Sequence, residues 1–471
     1  MTGIWKNYIF VSSFSFFLAS IFIFISAEAG RNQPFINICL LVATIIICHQ
    51  FFLNQSIRRD KNWIQIDNLF LLMFFGVHFG AWVLDYLGVA RIGGFSKVQM
   101  INYVDYSIAL ALMAMASFVM GFNLFLGRTL SFSNRLSDRR QWIFAANVIF
   151  YVGFACTLLY ALVYGVSAFS GRYEGSDVGG LGVRALYLFQ QILVKLGISI
   201  LFICHADKKK IIPPCIVPTS CFVGILLMYL VLGDRSEFVY TGAVGLFAYS
   251  ISFRRIKLHW ILLAIVSVAF VLSAVQIARA QNERSLSTLY EAITSESDDV
   301  SAEKGLQNIS GSGFVLLTAT TAVPDEYDFF NGQLKIKEAL GIIPFGRFLF
   351  YKPEPGIKFD NSSTFFTFYL LGPNSTWGVG STIVADVYVD FGPLGTAIAL
   401  FFLGAVAGYL KKQSYTQDSF LVVIAFCFFA GLLSLLPRYS YLDIIRGLIW
   451  PLMFLWIVKK ILIKRGRRKL G

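Results

Sequence analysis

The chain has 471 residues, of which 56% are hydrophobic and only 14% charged. A soluble domain would carry about a quarter charged residues, so the composition excludes an ordinary soluble protein and indicates a membrane protein. The net charge of +13 does not indicate a nucleic-acid partner, because the basic residues stand in short clusters between apolar runs. The seven cysteines lie in or beside apolar segments without a CxxC pair, which argues against disulfides and a cysteine metal site.

Twelve apolar segments approach the ~20 residues that a helix needs to cross a bilayer. In chain order they are 8–27, 36–53, 69–88, 106–126, 142–164, 186–204, 212–232, 237–252, 260–276, 393–410, 420–436 and 447–463. Segment 237–252 is short and contains glycines, so a re-entrant hairpin is its alternative. The charge pattern favours a true span there, because omitting it would reverse every later segment.

The distribution of charge sets the orientation. With the N-terminus inside, the inner segments hold 23 of the 40 basic residues but only five of the 27 acidic ones. This is the bias expected of cytoplasmic loops. We therefore predict an all-α polytopic membrane protein of about 12 transmembrane helices with both termini in the cytoplasm. Residues 1–275 carry nine helices. Residues 276–392 form a large extracytoplasmic loop with short helices, a lid over the site. Residues 393–471 carry three helices and a basic tail.

Two short outer segments combine glycine with arginine. Residues 170–176 (SGRYEGS) contain Arg172 and Glu174 just outside the fifth span, and residues 233–237 (GDRSE) place Arg235 and Glu237 in a tight turn at the membrane surface. Glycine allows close backbone approach, and a guanidinium offers a planar fork of donors to phosphate. The alternatives are a flexible loop for the first segment and a turn with an internal ion pair for the second.

The large loop changes character along its length. Its first half, Glu283–Asp328, is acidic and polar and is predicted to be a solvated helical cap. Its second half contains Arg347, Asn361, Ser362 and Asp386 among apolar and aromatic residues, so we expect it to pack into the helix bundle or to dip into the membrane interface as short helices. The polar and aromatic side chains suit a sugar chain bound by hydrogen bonds and stacking. An ordinary folded cap is the alternative.

The last outer turn crowds arginine and tyrosine together. Arg438, Tyr439, Tyr441 and Asp443 lie within six residues, and Arg446 opens the last span. An interfacial aromatic anchor with snorkelling arginines is the alternative interpretation.

Arginines from separate segments thus meet on the outer face, where positive charge is normally depleted. They are Arg172, Arg235, Arg279, Arg347, Arg438 and Arg446. Such a cluster is what recognition of a lipid-linked pyrophosphate requires. The sequence contains no GxxxxGK[ST] motif and no histidine in a predicted outer loop, so we expect neither ATP hydrolysis, a metal site nor another cofactor.

The chain resembles the Wzy-type O-antigen and oligosaccharide repeat-unit polymerases, including the enterobacterial common antigen polymerase branch. At the level of helix topology, this resemblance extends over most of the chain. Three places carry the resemblance: Gly233-Asp234-Arg235, the run from Asn361–Phe366 through Gly380-Ser381 to residues 390–395, and Arg438 with Arg446. The resemblance implies a glycosyltransferase in the bacterial inner membrane that works at the periplasmic face. Its substrates would be glycan donor and acceptor units on undecaprenyl pyrophosphate, and a chain-length regulator protein is a candidate partner.

The resemblance also suggests roles for the outer residues. The pyrophosphate clamp would consist of Arg235, Arg438 and Arg446. The donor or acceptor would be held by Arg172, Arg279 and Arg347. Candidate bases are Glu174, Glu237, Asp386 and Asp443, and candidate sugar-binding residues are Asn361, Ser362, Tyr439 and Tyr441. An O-antigen ligase is the nearest enzyme alternative, but it is expected to use a histidine in the large loop. A flippase, another twelve-helix transporter and a scaffold of the assembly complex are the non-enzyme alternatives.

Overall fold

A computed structural model describes residues 3–57, 63–88, 98–125, 139–164, 181–207, 209–231, 234–253, 312–340, 342–343, 359, 361–375, 378–416 and 420–468. These residues form helices joined by turns, with no β-strand among them. The predicted all-α class is confirmed.

The α-helices in these ranges are numbered in chain order. They are α1 Gly3–Ile25, α2 Gln33–Phe52, α3 Ile66–His78, α4 Gly80–Tyr86, α5 Val104–Leu124, α6 Arg139–Tyr164, α7 Leu181–Cys204, α8 Ile216–Val231, α9 Arg235–Ser252, α10 Gly313–Ala322, α11 Ile336–Leu340, α12 Ser362–Leu371, α13 Ile383–Thr416, α14 Phe420–Leu435 and α15 Asp443–Arg468. Short 3-10 turns cover Val98–Tyr103, Gln333–Lys335 and Leu436–Arg438.

Within the described ranges, seven helices are long and apolar enough to cross a membrane, and the pair α3–α4, bent by 56°, would make eight. The seven coincide with predicted segments 8–27, 36–53, 106–126, 142–164, 186–204, 393–410 and 420–436, and the bent pair with 69–88. Segments 212–232, 237–252 and 447–463 also fall on helices, namely α8, α9 and α15, while 260–276 lies outside the described residues. The total of about twelve spans and the orientation stay predictions.

Helix α5 forms the centre of the bundle and packs closely along α13. Gly121 of α5 and Gly404 and Gly408 of α13 line the contact. A Cβ atom at Gly404 would lie 2.1 Å from the carbonyl oxygen of Phe118, and one at Gly121 would lie 1.9 Å from that of Phe401. Small residues are what let two membrane helices approach to backbone contact. The glycines therefore fix the position of α13 against the centre.

Helix α13 is broken near its first third. Gly392 has φ 66° and ψ −168°, a conformation essentially restricted to glycine, and Pro393 follows it. Residues 383–390 before the break are buried on every side, and the segment after it coincides with the predicted span 393–410. The amide of Phe330 donates to Val389 O at 3.0 Å and that of Asn331 to Asp390 O at 3.1 Å. The interrupted helix end is thereby satisfied by the preceding loop.

The described parts of the large loop pack into the bundle. For the second half this confirms the prediction, since Phe365 and Phe366 of α12 are fully buried. The prediction of a solvated cap for the first half is wrong for α10, where Ala319 and Ala322 are fully buried. The threonines of α10 can enter the core because their hydroxyls bond within the helix, as Thr318 does to a carbonyl oxygen at 2.8 Å.

A buried ion pair joins α13 to α3 far along the bundle from the break. Lys411 Nζ lies 3.1 Å from Asp67 Oδ1, and both side chains are 1% exposed. Asp67 Oδ2 also accepts hydrogen bonds of 2.7 Å from Gln50 and from Asn54. A carboxylate this deeply buried requires such partners.

Replacing Lys411 by Met is expected to lower the free energy of unfolding by ~3–5 kcal/mol, because it leaves a buried carboxylate without its cation. The double variant Lys411→Met/Asp67→Asn should recover most of the loss, since the charge then disappears from both partners. Denaturant unfolding of the detergent-purified protein measures both. Equal loss in the single and double variants would contradict this account of the pair.

Candidate active site

A short turn between α14 and α15 carries several of the predicted residues. Pro437 lies in the 3-10 turn that follows α14, and Arg438, which ends it, is exposed. Asp443 is the first residue of α15, so its carboxylate lies at the positive end of the helix dipole. Arg446 follows one turn later and is half-buried. Two cations and one carboxyl group are therefore presented from a single stretch of chain.

Three carboxylates from other parts of the chain hold this turn. Ser440 Oγ donates to Glu338 Oε2 at 2.9 Å. The amide of Tyr441 donates to Asp386 Oδ2 at 3.0 Å, and its hydroxyl donates to Asp390 Oδ2 at 3.2 Å. Consecutive residues of the turn are thus fixed by α11 and by the buried first segment of α13.

The side chain of Lys335 contacts two of these three carboxylates. It forms an ion pair with Asp386, and its Nζ is 3.5 Å from Glu338 Oε2 and 3.0 Å from Ser362 Oγ. The ammonium also lies 5.3 Å from the ring centroid of Tyr441, within cation–π range. Lys335 is only 4% exposed, so it is out of reach of a bound substrate.

The N-terminus of α12 contributes two of the predicted sugar-binding residues. Asn361 caps the helix, because its side-chain oxygen accepts from the amide of Thr364 at 2.8 Å. Ser362 is buried and donates to Asp386, and its hydroxyl oxygen lies 3.4 Å from that of Ser381. Both side chains thus have partners inside the protein.

The surroundings of Asp443 shift its pKa. Burial and the nearby carboxylate of Glu338 raise the pKa of Asp443 to about 6, with Asp386 acting in the same direction. Arg446 and, more weakly, Lys335 oppose the rise. The pKa of Lys335 is lowered by burial but raised further by Asp386 and Glu338, and the net direction is up. Lys335 therefore stays protonated while Asp443 titrates near neutral pH.

A second polar group lies at the N-terminus of α9. Asp234 caps this helix by accepting from the amide of Glu237 at 3.1 Å, and Tyr187 donates to its other oxygen. Glu237 forms an ion pair of 2.7 Å with Lys195, which is buried in α7. Glu237 is thus held by a cation from helix α7.

One hydrogen bond links this group to α15. Lys195 Nζ lies 3.9 Å from the ring centroid of Tyr240, whose hydroxyl donates to Gly447 O at 3.3 Å. Gly447 follows Arg446 directly, so the N-terminus of α9 and the start of α15 belong to one packed region.

The structure brings together most predicted residues that it describes. Ser362, Asp386, Tyr441 and Asp443 lie in one cluster, with Arg438 and Arg446 on the same turn. Tyr439 lies on that turn too and is half-buried. Arg235 begins α9, but its side chain lies outside the described part of the chain, as do Arg172, Glu174, Arg279 and Arg347 entirely.

The sequence interpretation missed Lys335 and Glu338. Their three-residue spacing puts them on one helical face, which is a recognisable signal for an ion pair. Their partners lie about 50 and 100 residues further on, and nothing in the sequence indicates that pairing. Over the described ranges, no group of three or more His, Cys, Asp or Glu side chains could hold a metal ion.

A helical membrane protein that presents a carboxyl group and two arginines on one turn is suited to bind an anionic substrate. The family model of the O-antigen polysaccharide polymerase Wzy matches residues 8–466, nearly the whole chain. The chain therefore belongs to this polymerase family, as the resemblance in the sequence predicted. No curated protein and no solved structure matches it significantly.

Proposed function

We propose that this chain polymerises lipid-linked oligosaccharide repeat units at the periplasmic face of the bacterial inner membrane. The carrier is undecaprenyl pyrophosphate, and the chain that grows is O-antigen or a related surface polysaccharide. Membership of the polymerase family supports the reaction class. The excess of basic residues on the predicted inner segments supports a periplasmic position for the turn 436–443.

One observation carries the proposal at the level of the site. Asp443 is half-buried beside Arg446 and Glu338, on the turn that also presents the exposed Arg438. A carboxyl group whose pKa lies near 6 is suited to accept a proton at neutral pH, and guanidinium groups are suited to a pyrophosphate.

The proposed reaction uses these groups in one displacement. A hydroxyl oxygen of the acceptor sugar attacks the anomeric carbon of the donor glycan, and the bond from that carbon to the pyrophosphate oxygen breaks. Asp443 takes the hydroxyl proton. Arg438 and Arg446 stabilise the charge that develops on the departing undecaprenyl pyrophosphate. Arg235 joins this clamp, while Arg172, Arg279 and Arg347 hold the glycans.

Asp386 and Glu237 are weaker candidates for the base. Asp386 is fully buried and its oxygens are engaged by Lys335, Ser362 and Tyr441. Glu237 is paired with Lys195. Both carboxylates are held by protein partners and are less free to reach a substrate hydroxyl.

Deletion of the gene and complementation with variants tests the proposal. We expect the deletion strain to lose the ladder of glycan lengths while single repeat units still reach the lipid core. Arg438→Ala and Arg446→Ala should each shorten or abolish the ladder, because removing one donor from a developing charge costs ~10²–10³-fold in rate. Gel electrophoresis of the surface glycan shows the ladder.

The exposed Arg140 of α6 provides the matched control, and Arg140→Ala should restore a normal ladder at the same protein level. A normal ladder in both Arg438→Ala and Arg446→Ala would refute the clamp. Loss of every attached repeat unit in the deletion strain would instead favour a ligase or a flippase. A chain-length regulator is the proposed partner, and its deletion should alter the ladder's length distribution.

A further inference from the structure

Two carboxylates that fix consecutive residues of the turn share one cation. Glu338 accepts from Ser440, and Asp386 accepts from the amide of Tyr441. Lys335 contacts both carboxylates, by an ion pair with Asp386 and at 3.5 Å from Glu338. The glycosyl transfer described above gives this lysine no role.

We propose that Lys335 is a positioning residue for glycosyl transfer: it ties α11 and the first segment of α13 to the turn that presents Arg438, Asp443 and Arg446. The inference rests on the proposed function of that turn. Lys335 acts through Glu338 and Asp386 and touches neither donor nor acceptor, because its side chain is 5% exposed.

The local charges explain why a cation is needed at this place. Four carboxyl groups lie on or beside the turn: Glu338, Asp386, Asp390 and Asp443. Like charges so close repel one another. The ammonium of Lys335 is attracted to three of them and also faces the ring of Tyr441. Without it, Glu338 would keep only Ser440 among the partners described above, and the turn would lose its common anchor.

Lys335 is better suited to positioning than to binding the pyrophosphate. An ammonium that binds phosphate must be open to the substrate, but this one is enclosed by protein groups on α11, α12 and α13. Its ammonium donates to Asp386 and Ser362 and lies 3.5 Å from Glu338, so protein groups occupy its surroundings. The effect of its removal should therefore appear in the rate of the bound complex rather than in substrate affinity.

The test uses the full-length protein in detergent and lipid-linked repeat units extracted from the deletion strain. Lys335→Met/Asp386→Asn removes both charges of the buried pair, so no single buried charge is left behind. We expect kcat to fall ~10- to 100-fold, the loss that a displacement of about 1 Å in a catalytic group produces. KM should change less than about threefold, because the arginines that bind the substrate remain.

Ser440→Ala provides a second variant that removes only one hydroxyl at the outer end of the same connection. It should lower kcat in the same direction, by ~3- to 10-fold, with KM little changed. This variant decides the question if the double variant fails to fold. Wild-type kcat in Ser440→Ala, or in a folded double variant, would overturn the proposal.

The matched control is Lys411→Met/Asp67→Asn, a lysine–aspartate pair that is also buried and also has one member on α13. About 27 Å of unbroken helix separates it from Pro393. It should retain the wild-type kcat per folded molecule. A loss of activity equal to that of Lys335→Met/Asp386→Asn would mean that any buried pair has this effect and would refute a positioning role. If the wild-type protein elongates no repeat units at all, the proposed function fails, and that result is distinct from wild-type kcat in the variants.

Discussion

Replacement of Asp443 by Asn is expected to lower kcat ~10²–10⁴-fold, the contribution typical of a general base. The amide keeps the size of the side chain and its place at the start of α15 but cannot take a proton. Substrate binding should survive, since Arg438 and Arg446 are unchanged. The measurement is elongation of extracted lipid-linked repeat units by the purified protein. Asp207→Asn, at an exposed acid in the surface pair with Lys210, serves as the control.

The pH dependence gives a second measurement of the same prediction. The pKa of Asp443 is raised to about 6, so below pH 6 the carboxyl group is protonated and cannot accept the hydroxyl proton. Activity should therefore fall as the pH drops through about 6. Among the neighbouring charges, Glu338 raises this pKa most, so Glu338→Gln should move the midpoint to lower pH. Asp443 would be excluded as the base if Asp443→Asn kept substantial activity. It would also be excluded if Glu338→Gln left the midpoint of the activity loss at low pH unchanged.

Gly404→Ala is expected to disrupt the contact between α5 and α13. The added carbon would lie 2.1 Å from the carbonyl oxygen of Phe118, and the atom in its way belongs to a helix backbone that has no rotamer to change. Overpacking costs ~1–3 kcal/mol even where side chains can move, so we expect a loss at or above that range. Size-exclusion chromatography and thermal unfolding in detergent measure the fraction that stays folded.

A matched glycine shows whether the effect comes from the close approach. Gly224 of α8 is also helical, but a Cβ atom there would meet nothing within 4 Å. Gly224→Ala should leave the protein as stable as the wild type or stabilise it by up to ~1 kcal/mol, because alanine is the better helix former. Equal behaviour of Gly224→Ala and Gly404→Ala would contradict the packing described for α13.

Hydropathy was sufficient to locate most helices, because each must bury its own backbone hydrogen bonds in an apolar run. It failed for α10, whose threonines look polar in sequence but bond within their own helix. Hydropathy also does not predict that α13 begins at Ile383, because the segment before Gly392 is buried inside the protein. The break itself is visible in sequence as Gly392-Pro393.

The candidate site was predictable only in part. Arg438, Asp443 and Arg446 are adjacent in sequence, so their proximity follows from chain connectivity. The capping role of Asn361 can also be predicted, because Asn is among the residues preferred at a helix N-cap. The association of Lys335 with Asp386 depends on contacts across 51 residues, which no local pattern encodes.

The buried ion pairs have a consequence for how the chain is made. Lys195 in α7 and Asp67 in α3 are both synthesised before the residues with which they form ion pairs, and a buried charge without its ion-pair partner is costly. Lys195 meets Glu237 after 42 further residues, but Asp67 meets Lys411 only after 344. The ion pair between α3 and α13 can therefore form only after almost the whole chain has been made, whereas the pair between α7 and α9 can form much earlier.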